Sequence, residues 1–412
     1  MRRESWDVVV AGAGAAGLFC ALNLPRGTRT LVICKEDAAS CDSMLAQGGM
    51  CTLADPADRE AWIADTLAAG HNENNRAAVE AMVDGSPAVT QALIELGVEF
   101  DRSPDGRLAY TREGAHSRPR IVHRADTTGA AITEALLAAV RALPWVEVRE
   151  HSPMEDLLVK EDENGRRCVG LLARDGSGPA ELLAGACVLA CGGVGGLYER
   201  STNYPGLTGD AIRACERHGV ATEHLDWVQI HPTSLFTDKP GRAFLISESC
   251  RGEGAVLVGA DGRRFCDELA PRDVVTAAIR EQMEREGSRF VRLDFSAVDE
   301  DVVRGHFAHI YETCLAAGYD ILADPVPVVP AQHYLMGGIS CDLWGRTSVP
   351  GLFACGETAC CGVHGKNRLA SNSLLESLVF SARCAEAISG APPRVAPGAA
   401  HPKEAPACSA AR

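Results

Sequence analysis

Among the 17 cysteines of this 412-residue chain there is no C-x-x-C pair; Cys187 and Cys191 stand four apart, and Cys360 and Cys361 are adjacent. A zinc or iron–sulfur centre is poorly supported by that spacing, and no metal is expected. The cysteines are scattered, several sit inside apolar runs (Cys20, Cys34, Cys187), and no secretory segment precedes them. That usage argues against a disulfide framework and for a reducing cytoplasm. Long hydrophobic runs are missing too, because Gly or a charge interrupts each one, so no membrane span is expected. Positive charge is short: 40 Lys and Arg against 55 Asp and Glu leave −15. The balance disfavours nucleic acid or an anionic membrane as the main partner, while a local Arg/His cluster can still hold a small anion. Internal repeats are absent. The length suits two domains and a large core.

What is present starts with WDVVVAGAGAAGLFCALNL (6–24). Asp7 to Val10 predict a buried strand, the glycines a tight turn, and the remainder a helix. Gly12 allows the turn, Gly14 lets a pyrophosphate approach the backbone, and Gly17 lets the helix pack on the strand with its N-terminus facing the anion. A lone G-x-G-x-x-G is a weak signal; between a strand and a helix it points to a dinucleotide. RTLVIC (29–34) predicts a second strand, and the ribose-binding acid expected at its end would be Glu36, one step late. ACVLACGGVGG (186–196) predicts a return to the same sheet, and TGDAIRACERHGV (208–220) an N-capped helix with Asp210 near its start.

Residues 225–340 change character, with short alternating strands and helices such as 272–286; VPGLFACGET (349–358) then restores a buried strand and a Gly-Glu turn. The expected fold class is α/β: a Rossmann-like domain (1–224 and 341–390) interrupted by an α+β capping domain (225–340). Residues 391–412, rich in Pro and Ala, are expected to be disordered.

Five segments belong together: the Gly-rich start, SMLAQGG (43–49), QIHPTSL (229–235), RGEGA…ELAPRDVV (251–275) and HYLMGGI…GETACCGVHGKNRLASNSLLES (333–377). Colinear over residues 5–390, they resemble the fumarate reductase, succinate dehydrogenase and L-aspartate oxidase flavoproteins. The resemblance implies FAD in the Rossmann-like domain. Its contacts would be Gly12, Ala13, Gly14, Ala15, Ala16, Gly17, Lys35, Asp42, Ser43, Met44, Leu45, Ala46, Gln47, Gly48, Gly49, Asp210, Glu357, Ser373 and Leu374. Lys35 takes the place of the ribose acid, so Glu36 is not needed. Asp42 stands where the membrane-bound members carry a histidine linked to the flavin, which implies non-covalent FAD. Many members continue with a helical bundle at the point where this chain passes, after SLVFSARCAEAI, into its Pro/Ala-rich stretch.

The same resemblance implies a capping domain closing over a four-carbon dicarboxylate, which needs donors at both ends. His231, His333, Ser247 and Arg368 are the candidates, with Gln229 and Glu248 in the same motifs. Contact with substrate and plain packing both stay open for His364. Lys366 replaces a small residue and would alter the charge near Arg368. Arg272, in APRD, matches the catalytic arginine; its alternative is a helix-start residue paired with Asp273 or Glu268. A free guanidinium is a poor base, with a pKa above ~12, so proton transfer would need a relay, for which Glu248 and Glu253 are candidates.

TREGAHS (111–117) poses the remaining question. Glu113 is either a solvated loop charge or a recognition group for a cation. Succinate and fumarate carry no cation, whereas L-aspartate carries an ammonium that a carboxylate would meet. The stretch resembles the aspartate-oxidising members. That implies L-aspartate as substrate, iminoaspartate as product, oxygen or fumarate as electron acceptor, and quinolinate synthase, in NAD biosynthesis, as the partner using the product. A soluble fumarate reductase is the nearest alternative.

Overall fold

The stretch ahead of the Gly-rich turn becomes a central strand of a seven-stranded sheet. In the computed structural model, which describes residues 1–163, 165–238 and 241–390, Arg2–Ala11 lies between Thr30–Ile33 and Gly178–Leu189 and runs parallel to both. Val146–Arg149 extends the sheet beyond Thr30–Ile33, and Leu352–Ala354 joins the C-terminal end of Gly178–Leu189, again parallel. The first strand has 10 residues and outruns the expected Asp7–Val10. Its first half alternates between exposed and half-buried residues and pairs with residues 180–184. Only its end is buried throughout, and only that part gives the continuous apolar signal of a covered parallel strand.

Helices Ala15–Asn23, Arg76–Glu95, Thr128–Arg141 and Asn372–Ser389 share one apolar cluster on one side of the sheet. Leu18 and Phe19 are fully buried there, each contributing about 1.5–3 kcal/mol relative to exposure. Gly17 allows the helix its close approach, because a Cβ there would collide with the Gly12 carbonyl. A second cluster joins the other face to the antiparallel strands Met154–Asp162 and Gly165–Asp175 and to helix Asp210–Arg217. That helix departs from expectation at its start. Its cap is Gly209, at φ 71, with no side-chain capping bond, and Asp210 is already its first residue.

Between residues 225 and 340 the chain builds an antiparallel sheet in the order Val228–Leu235, Val326–Leu335, Val291–Asp294, Val256–Val258. The third apolar cluster draws only on residues from Leu235 to Val328. A small sheet of Thr222–Glu223, Gly338–Ser340 and Ala359–Cys360 ties the two chain crossings to the segment that follows. Among the described residues no helix is long and apolar enough to cross a membrane. The stretch expected to be disordered, 391–412, lies outside the described residues.

Candidate functional site

One cavity runs from the Gly-rich turn to the inserted sheet. At its first end stand Gly12 to Ala16, where helix Ala15–Asn23 begins at Gly14 without a side-chain cap. Ser43 Oγ accepts from the Ala15 N–H at 3.0 Å. An uncapped helix start leaves backbone donors for an anion. Lys35 and Asp210 line the same end, and the Lys35 ammonium donates to Asp210 Oδ2 (2.9 Å), to Thr208 Oγ1 (3.2 Å) and to the Gly206 carbonyl (3.0 Å). Glu36, set aside on sequence grounds as one step late, also lines this end. Farther along, Asp42 accepts the Tyr204 N–H at Oδ1 (2.9 Å), while its Oδ2 and Gln47 Oε1 are buried and have no partner among the described residues. A cradle of glycines, a helix start and unsatisfied polar atoms fits a dinucleotide.

The other end is built from side chains far apart in sequence. Glu113, His231, Ser247, Glu248, Arg272, His333 and Arg368 line it together. Arg272, first residue of helix Arg272–Glu286, donates from Nε to Glu248 Oε2 at 2.5 Å and from Nη1 to Gln229 Oε1 at 2.8 Å. Neither Asp273 nor Glu268, the alternative partners, takes this role: Asp273 pairs with His71 and Glu268 with Arg264. Burial pushes the Glu248 carboxyl up, but Arg272 and Arg251 outweigh it and hold it below its ordinary value. Glu253, the other relay candidate, is exposed and accepts the Thr111 hydroxyl at 3.2 Å.

Burial, then Arg272, holds both His231 and His333 far below the ordinary histidine pKa, so both rings are neutral at pH 7. His231 Nδ1 lies 3.2 Å from the N–H and from the carbonyl of Thr233. Accepting from the N–H leaves the ring proton on Nε2, a buried atom with no partner among the described residues. His333 meets Thr202 Oγ1 at 2.7 Å, and its ring centre is 5.1 Å from that of His231. The Arg368 guanidinium lies 4.5 Å from the Tyr334 ring centre and donates to Ser373 Oγ at 3.1 Å, and its Nε has no partner among the described residues. Burial, then Arg272, brings its pKa down to about 10, which still leaves a cation at neutral pH. Arg251, Arg272 and Arg368 are all buried, and Arg251 and Arg272 pair with Glu248. Among the described residues Arg368 forms no ion pair, and a buried cation without one calls for an anionic ligand.

Glu113 is 3% exposed, which removes the solvated-loop reading. Arg120, beneath the loop, is bound bidentately by Asp58 (2.6 and 3.0 Å), pairs with Asp65 (2.7 Å) and donates to His116 Nδ1 (2.8 Å). Burial, then Arg120, lowers His116 to about 4; neutral, it donates from Nε2 to the Ala370 carbonyl at 3.0 Å.

Several expected site residues stand elsewhere. Gln229 is behind the wall, holding Arg272 on one side and donating to Asn367 Oδ1 (2.9 Å) and the Arg368 carbonyl (2.8 Å) on the other. Gly17 and Met44 do not line the cavity; Gly17 serves helix packing instead. His364 is buried beside Tyr334, its Nε2 3.4 Å from the phenol oxygen, and is outside the lining. Lys366 is exposed and faces a separate hollow with Gln229 and Arg280. Sequence reasoning missed Ser249, Ser371 and Tyr334. Tyr334 and Ser371 lie inside a quoted motif and Ser249 just ahead of one, but only the fold shows what each touches.

A family model described as an FAD binding domain matches residues 7–374. The chain is 43% identical over 378 residues to an L-aspartate oxidase of Clostridium perfringens, covering 92% of this chain and 85% of that one. It is 43% identical to an L-aspartate oxidase of Clostridium acetobutylicum, with 93% and 87% covered. A quinol fumarate reductase of E. coli superposes with a TM-score of 0.86 at 30% identity, over 98% of this chain and 72% of that one. The fold is the α/β flavoprotein fold, and the cofactor is FAD. With the motifs, the cavity and these likenesses together, the chain belongs to the L-aspartate oxidase family of FAD-binding flavoproteins.

Proposed function

We propose that the protein oxidises L-aspartate to iminoaspartate. The observation that carries this reading is a buried carboxylate, Glu113, on the wall of a cavity otherwise rich in guanidinium and imidazole groups. A dicarboxylate without a cation would meet repulsion there; an α-ammonium finds a charge-assisted partner. Arg368 and the Nε2 of His231 would receive the substrate carboxylates, with His333 completing the donors, while the Ser247 hydroxyl proton is held by Ser249 Oγ. Bound FAD supplies the acceptor for the hydride leaving the substrate carbon. Arg272, tied to Glu248 and Gln229, faces the same space and would hold or move the proton released as the C=N bond forms. Gln229 acts by fixing Arg272 and the Arg368 backbone rather than by touching substrate.

Residues 225–340 supply Arg272, His231 and His333 and carry their own apolar core, which supports their reading as a cap over the cofactor. Non-covalent FAD is favoured by Asp42, whose carboxylate offers no imidazole for a link to the flavin. Oxygen, giving hydrogen peroxide, or fumarate, giving succinate, would take the electrons. Use of the product by quinolinate synthase rests on the family resemblance alone. Free cysteines throughout the described residues favour the cytoplasm. The likeness to fumarate reductases sustains one alternative, a fumarate reductase without aspartate activity.

The visible spectrum of the purified holoprotein, taken anaerobically, separates the two. Bleaching of the oxidised flavin band by L-aspartate, and by neither D-aspartate nor succinate, is expected. A band that persists with L-aspartate, in a protein whose reduced form fumarate reoxidises, would establish the alternative.

A further inference from the structure

Two hydroxyls from distant segments grip the Glu113 carboxylate. Ser249 Oγ donates to Oε1 at 2.7 Å, and Ser371 Oγ donates to Oε2 at 2.5 Å. Ser249 lies in helix Glu248–Gly252, and Ser371 precedes helix Asn372–Ser389. An ionised carboxylate can only accept, so Ser249 gives its proton to Glu113, and Ser247 Oγ, 3.1 Å away, donates to Ser249 Oγ in turn. Ser371 makes its bond from φ 58, a left-handed conformation that serine rarely adopts. Gly48 closes the third side, since a Cβ there would collide with Glu113 Oε1. The carboxylate is thus fixed in position by groups that are themselves neutral. Among the described residues no cation forms an ion pair with it.

We propose that Ser249 and Ser371 are specificity-determining positioning residues, which hold Glu113 as an anion facing the cavity and thereby favour a dicarboxylate bearing an ammonium over one without. The inference rests on the aspartate-oxidising reading given above. The charged and titratable groups around Glu113 are Glu248, on the helix of Ser249, Arg272 at the start of its own helix, Arg251, and Cys51. Burial, then Glu248, pushes the Glu113 carboxyl upward; Ser371, Arg272 and Ser249 pull it down. Removing either hydroxyl therefore favours the protonated acid. A neutral Glu113 is a weaker acceptor for the ammonium of L-aspartate and no longer repels fumarate.

The test compares Ser249→Ala and Ser371→Ala holoenzymes with the unaltered protein in two anaerobic half-reactions between about pH 5 and pH 9: flavin reduction by L-aspartate, and reoxidation of the dithionite-reduced flavin by fumarate. The acid limb of the aspartate reaction is expected to move up by about one pH unit, a loss of about tenfold on that limb that is recovered at high pH. Fumarate reoxidation should hold or quicken. Ser249→Thr, which keeps the hydroxyl, should restore the original limb and carries the test with Ser249→Ala if Ser371→Ala fails to retain FAD. An unmoved limb, or an equal loss with both substrates, would overturn the proposal while leaving the aspartate reading intact. Failure of L-aspartate to reduce the unaltered protein would overturn that reading and this proposal with it.

Discussion

The two ends of the cavity are made differently. The nucleotide end is largely main chain: a turn, a helix start and glycines, contributed by a few contiguous stretches. The end proposed for substrate is side chain, with Glu113, His231, Arg272, His333 and Arg368 drawn from separate segments and lining one space. A main-chain site is fixed by local backbone geometry and tolerates loss of a single hydroxyl. A side-chain site depends on each buried group keeping its partners, because an unpaired charge in the interior is costly.

The largest test of that contrast is Arg272→Lys. Lysine keeps the charge but cannot span both Glu248 Oε2 and Gln229 Oε1, which the guanidinium binds through two different nitrogens. Turnover of L-aspartate should fall by about 10²–10⁴-fold, with FAD content unchanged by absorbance. A change in FAD content instead would mean that the two ends are not separable. Next comes Glu113→Gln, which removes a charge-assisted partner and should lower kcat/KM for L-aspartate by about 10–100-fold. Fumarate reoxidation of the reduced enzyme should persist; equal loss of both activities would remove Glu113 from the discrimination. Its pH counterpart has a definite sign. Since Glu113 is raised while His231 and His333 are far lowered, aspartate turnover should decline as pH falls through the Glu113 pKa, and Glu113→Gln should erase that limb.

Smaller still is Tyr334→Leu, which removes the ring beneath Arg368. Loss of a desolvated cation–π contact of about 2 kcal/mol should raise KM for L-aspartate by up to about 30-fold and spare FAD affinity. At the nucleotide end, Ser43→Ala removes one hydroxyl from the helix start. FAD dissociation, followed by flavin fluorescence, should change by less than about tenfold. A larger change would show that this end, too, depends on individual side chains.

The strand–turn–helix of the Gly-rich start was legible because its three signals are consecutive and each has a local cause. Helix Arg272–Glu286 was legible too, with the bounds expected of it. The first half of the opening strand was not, since residues 2–6 are partly exposed and carry no apolar run. Gln229 and Lys366 show the limit of motif reading. Both stand within motifs of the substrate end, yet one serves as a strut and the other faces outward.

By itself the sequence determined the kind of cofactor and the inventory of groups proposed for a dicarboxylate, because backbone geometry and residue chemistry are local properties. Tertiary structure alone decided that Glu113 is buried, that Ser249 and Ser371 grip it, and that Glu248 rather than Asp273 or Glu268 pairs with Arg272. Those pairings join residues far apart in the chain. Burial sets their strength, and burial belongs to the packed molecule rather than to any one segment.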